Sequence, residues 1–93
     1  MTKTVYQHTD HVDWMVGADK TITLKDTEAD WFFKLNPVAT LIWDLLDGTS
    51  TEGEIVDSVL ENFAIDEETA RRDVADFIEQ AVDLNLIETE EVL

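Results

Sequence analysis

The sequence predicts an α+β domain, three short strands followed by three helices, and two patterns carry that prediction. Between residues 11 and 35 apolar side chains alternate with polar ones at a period of two, as in half-buried strands. After Asn36 they recur at i, i+3, i+4 and i+7, as in amphipathic helices. Strands that precede the helices, rather than alternating with them, give a small antiparallel sheet with the helices segregated to one side. A chain of 93 residues has room for one such core, which can bury roughly 60–65% of the unfolded chain's surface.

Residues 1–10, MTKTVYQHTD, show no core pattern and are expected to form a flexible N-terminal segment or a short edge piece. In HVDWMVG, Val12, Trp14 and Val16 alternate with Asp13 and Met15, giving a strand over about 11–16 that turns at Gly17-Ala18-Asp19. KTITLK sets Ile22 and Leu24 against Thr21, Thr23 and Lys25 and bends at Asp26-Thr27-Glu28. ADWFFKL places Trp31, Phe33 and Leu35 on an inner face and Asp30, Phe32 and Lys34 on an outer one, so the three strands read as a meander.

Asn36 is a good N-cap and Pro37 suits the first helical position, where its missing N–H would be unpaired in any case. Val38, Leu41, Ile42, Leu45 and Leu46 then form a stripe, widened by Trp43 and stopped by Gly48. Thr51 and Glu54 form the T-x-x-E of a capping box, opening a second helix with Ile55, Val56, Val59, Leu60 and Phe63 inward. Asp66 caps a third helix that carries Glu67 and Glu68 in its first turn and runs to about Leu84 or Asn85. Leu86 and Ile87 close the domain, and residues 89–93 read as an acidic tail.

Composition excludes several functions. With no cysteine there are no disulfides, thiolate metal sites or thiol nucleophiles. Twenty-two acids against six bases give a net charge of −16, and after Lys34 the count is sixteen acids to two bases, so nucleic acid and anionic membrane are poor partners. No signal-peptide stretch and no apolar run of membrane-spanning length is present, which makes the cytoplasm the expected location. His8 and His11 lack further ligands on defined structure for a metal site. Neither serine has a nearby histidine, and with three glycines there is no phosphate loop, so no enzyme chemistry is indicated.

The third helix has more apolar surface than a plain surface helix needs. At 100° per residue, Ala70, Val74, Phe77, Ala81 and Leu84 form a core stripe, with Arg71, Ala75, Ile78 and Val82 as a flank beside it. The flank either packs on the third strand or the first helix, or it walls a groove next to an open sheet edge. A partner strand entering such a groove would gain main-chain hydrogen bonds from the edge and side-chain contacts from the helix.

Several residues together resemble the PqqD-like family, named for pyrroloquinoline quinone biosynthesis protein D. They are Leu35-Asn36 at the strand–helix junction, Ile42-Trp43 with Leu45-Leu46-Asp47-Gly48, Thr51 through Glu54-Ile55, and Asp73-Val74 with Phe77-Ile78. The resemblance spans about residues 11–88. Ala39 stands where the family often has glycine and Asn85-Leu86 replaces a frequent Gly-Leu, both expected to lie away from the groove.

The resemblance implies a RiPP recognition element, a winged helix-turn-helix-like domain with a three-stranded N-terminal sheet. Its expected role is non-catalytic, without cofactor or metal. It would bind the leader of a ribosomally made, post-translationally modified peptide precursor as an added strand. It would then present that precursor to a radical SAM enzyme, a cyclodehydratase or a leader protease. Carried onto this chain, the leader-binding residues are Asp30, Trp31, Phe32, Phe33 and Lys34 on the strand with Arg71, Ala75, Ile78 and Val82 on the helix. The alternatives are a winged helix-turn-helix transcriptional regulator, which seven acids in the third helix disfavour, and a structural subunit of a larger enzyme complex. An unpaired edge could also make a homodimer.

Overall fold

The computed structural model describes residues 2–28 and 30–92. In chain order the elements are β1 (Lys3–His8), β2 (Val12–Val16), β3 (Ile22–Asp26), β4 (Trp31–Lys34), α1 (Pro37–Leu45), α2 (Glu52–Asn62), α3 (Glu67–Asp83) and β5 (Ile87–Val92). The strands make two antiparallel sheets, a meander β2-β3-β4 and a ribbon β1-β5. The three-stranded sheet therefore lies in the middle of the chain rather than at its N-terminus.

The ribbon is the main departure from expectation. Residues 1–10, read as a flexible segment or a short edge piece, and the stretch read as an acidic tail supply the two strands of this ribbon: Lys3 pairs with Val92 and the register runs through to His8 opposite Ile87. Met1 and Leu93 lie outside the described residues. The pairing is made by main-chain groups, which leave no trace in hydropathy. Val5 and Ile87 are fully buried, whereas Glu88, Glu90 and Glu91 stand in water.

The helix ends follow the sequence closely. Asn36 Oδ1 accepts the Ala39 N–H at 2.8 Å, Asp66 Oδ1 accepts that of Thr69 at 2.7 Å, and Thr51 and Glu54 bond reciprocally in the capping box. At the far end of α3, Asn85 adopts a left-handed φ of 58°. The Leu86 N–H bonds the Ala81 carbonyl at 2.8 Å and the Asn85 N–H that of Val82 at 3.0 Å, a Schellman motif. Glycine is favoured at that position, and asparagine is the side chain that tolerates it best after glycine.

One core joins all elements. Trp43, Ile42, Leu24, Leu35, Ile55 and Val74 are fully buried, with Leu86 and Ile87 closing the bottom. His8 stacks flat on Trp43 with ring centroids 3.9 Å apart, and its Nε2 lies 2.8 Å from the Trp43 carbonyl oxygen. Trp14 meets both rings edge-on but remains half exposed, and Val16, on the same face of β2 and expected to face inward, is exposed.

Candidate functional site

The edge of the meander at β4 is open. Leu35 donates its N–H to the Ile22 carbonyl at 2.8 Å, and Phe33 and Trp31 lie opposite Leu24 and Asp26 in the continuing register. Antiparallel alternation then turns the N–H and C=O groups of Phe32 and Lys34 away from β3. Among the described residues no strand pairs with them.

Beside this edge runs a groove of about 310 Å³ between β4 and α3. Trp31 and Phe33 form the strand wall, Phe77, Gln80 and Leu84 the helix wall, and Leu24, Leu35, Ala81 and Leu86 the floor, with Asn36 and Ala39 at one end. The lining is largely apolar. Phe33 is 54% exposed although it sits on the inner face, because the groove in front of it is unfilled by the protein's own side chains.

The sequence-predicted site residues divide into two groups. Trp31, Phe33 and Lys34 line the groove, and Phe32 points to the opposite face of the sheet, 66% exposed, with the Lys25 ammonium 5.5 Å from its ring. Asp30 lies in the exposed turn before β4. On α3 the expected wall is not the observed one. Ile78 is 6% exposed and belongs to the core. Arg71 is bound to Glu67 at 2.9 Å on the surface, Ala75 is half-buried and Val82 exposed, and none of the three lines the groove.

The reason is geometric. A helical wheel finds the core stripe but is blind to which of its flanks meets the sheet edge. Here Phe77 and Leu84, at the margin of the stripe, turn to β4, and the Ile78 side turns into the core. The bulk of Phe77 and Leu84, seven residues apart on one line of the helix, was the available signal. Of the two departures from the family pattern expected to lie elsewhere, Ala39 lines the groove and Asn85 does not, although Leu86 beside it does.

Charge is sparse here. Lys34 Nζ bridges Asp19 at 3.0 Å, and the Asp19 carboxyl is held well below the usual range, first by the Thr21 hydroxyl and then by Lys34. Elsewhere, His11, Asp26 and Glu28 bring one potential ligand atom each within 4.8 Å, while His8 is committed to Trp43. The two histidines therefore do not converge. Burial lowers the pKa of His8, opposed by its contact with the Trp43 carbonyl and by Asp44 and Asp47.

A small α+β domain with a vacant strand edge backed by an apolar helix-lined groove is built to accept an extended chain. The sequence matches the family Coenzyme PQQ synthesis protein D (PqqD) over residues 22–87, and this chain belongs to that family. Two solved structures share the fold. TbiB1 in complex with the TbiA(beta) leader peptide is 28% identical, with a TM-score of 0.76 over 88% of this chain and 94% of that one. A lasso peptide synthetase B1 complexed with the leader peptide is 14% identical, with a TM-score of 0.78 over 89% and 96%. A comparison with curated proteins finds no match.

Proposed function

We propose that this protein is a non-catalytic recognition element that binds the leader of a RiPP precursor as a fourth strand on β4. It then hands that precursor to a modifying enzyme or leader protease. The observation that carries the proposal is the coincidence of the outward main-chain groups of Phe32 and Lys34 with the groove lined by Trp31, Phe33, Phe77 and Leu84. An extended segment bonded to that edge alternates its side chains, so every second one enters the groove. Burying one large apolar side chain there supplies about 1.5–3 kcal/mol.

The similarity to two leader-peptide complexes supports the same assignment. The leader contacts expected are the strand residues Asp30 to Lys34 with Phe77, Gln80 and Leu84 as the helical side. The helices and the hairpin sheet are read as a winged helix-turn-helix-like arrangement used for peptide rather than DNA, in the cytoplasm where such precursors are made. The acidity of α3 argues against a phosphate backbone as its ligand.

Calorimetry with a cognate RiPP precursor peptide, leader and core together, tests the reading. Binding survives scrambling of the core segment and disappears when the leader is deleted, and NMR shifts concentrate in residues 30–36 and 77–86. Absence of heat with the full precursor, together with no shifts at β4, would overturn it.

A further inference from the structure

The other margin of the meander, β2, is also bare. The Gly17 N–H bonds the Thr21 carbonyl at 2.9 Å and the Thr27 N–H bonds that of His11 at 2.8 Å. Alternation in that register joins Asp13 and Met15 to β3 and turns the main-chain groups of Trp14 and Val16 outward. No strand among the described residues pairs with them. Met15 is 67% and Val16 65% exposed, and Trp14 is exposed as well. Three consecutive apolar residues thus stand on an open edge, where proteins ordinarily place a charge to prevent pairing.

Pattern and charge together identify what covers this edge. Residues 12–34 carry five acids and three bases, so most of the net charge of −16 lies on the rest of the molecule. Two copies meeting at β2 keep their acidic helices apart. With an antiparallel two-fold axis at Met15, Trp14 of one copy lies opposite Val16 of the other, in hydrogen-bonding position. Met15 meets Met15 across the axis, and Asp13 faces Gly17. Apolar residues meet apolar residues and no carboxylate opposes a carboxylate. We propose that the protein forms an isologous dimer through β2, giving one continuous sheet whose two outer edges are the β4 grooves. The dimer is independent of leader binding and leaves both grooves open.

An interface of one strand edge is small, so the dimer is weak, appearing at tens to hundreds of micromolar protein, and it strengthens as salt screens the acidic lobes. Sedimentation velocity of the full chain over that range reads it. The wild type shifts from monomer to dimer with concentration, and Met15→Lys, which puts two ammonium groups on the axis, stays monomeric.

The absence of cysteine gives a second test. Met15→Cys places a single thiol on the axis, at a spacing within the disulfide range for directly opposed strand residues, and mild oxidation cross-links it. Phe33→Cys on the β4 side does not cross-link. A wild type that remains monomeric throughout, or cross-linking at Phe33→Cys in place of Met15→Cys, overturns the proposal. The cysteine variants decide the matter even where Met15→Lys fails to fold.

Discussion

The two sheets of this molecule treat their edges in opposite ways. The β1–β5 ribbon buries Val5 and Ile87 beneath it and faces water with Glu88, Glu90 and Glu91, whereas the β2–β3–β4 meander leaves Trp14, Met15, Val16, Phe32 and Phe33 exposed. In a chain of net charge −16 acidic residues were available for either surface. Their placement marks which edge is closed to company and which is open, since charge on an edge strand is a principal barrier to pairing. Solubility and reception are divided between two sheets of one small domain.

Four measurements break or sharpen that contrast. The largest effect falls where the ribbon is fastened: Trp43, with none of its surface exposed, carries the His8 stack, so Trp43→Ala costs about 3–5 kcal/mol in urea unfolding. Phe33→Ala sits on the open side. It weakens leader affinity by roughly tenfold or more, from about 1.5 kcal/mol or more of lost burial, while shifting the unfolding midpoint little. A fall in stability comparable to that of Trp43→Ala would mean that the groove is core after all.

Asn36→Ala removes the cap of α1 and costs about 1 kcal/mol of stability, with a smaller loss of affinity because Asn36 also ends the groove. The smallest effect is pH dependence in the ribbon. Burial depresses the His8 pKa, so its contribution is full above the unfolded value of about 6.5 and is lost as pH falls through the lower folded value. Comparing unfolding at pH 7.5 and 5, the wild type loses more stability than His8→Phe. Equal losses would remove His8 from the account.

The caps, the three helices and the meander were legible because each has a local chemical signal: Asn36-Pro37, the Thr51–Glu54 box, Asp66, and alternation across Ile22 to Leu35. The ribbon was not. Its partners are 79 to 89 residues apart in sequence, joined by main-chain bonds, with little buried beyond Val5 and Ile87. The strand half of the groove could be read from the alternation around Trp31 and Phe33. The helix half of the groove lining could not, because a periodic stripe has two margins and only the tertiary packing puts Phe77 and Leu84, rather than Arg71, Ala75 and Val82, against the groove.

The turn after α3 has a practical consequence for where the domain is cut. The Thr9 N–H and hydroxyl hold the carbonyls of Leu86, at 3.0 Å, and Asn85, at 2.7 Å. Leu86 is itself part of the groove floor. A shortened version beginning at residue 11 keeps every residue that lines the groove yet unfastens the floor beneath it. Poor uptake by such a fragment would report a lost clasp, and boundaries drawn from the matched span alone would misplace the working unit.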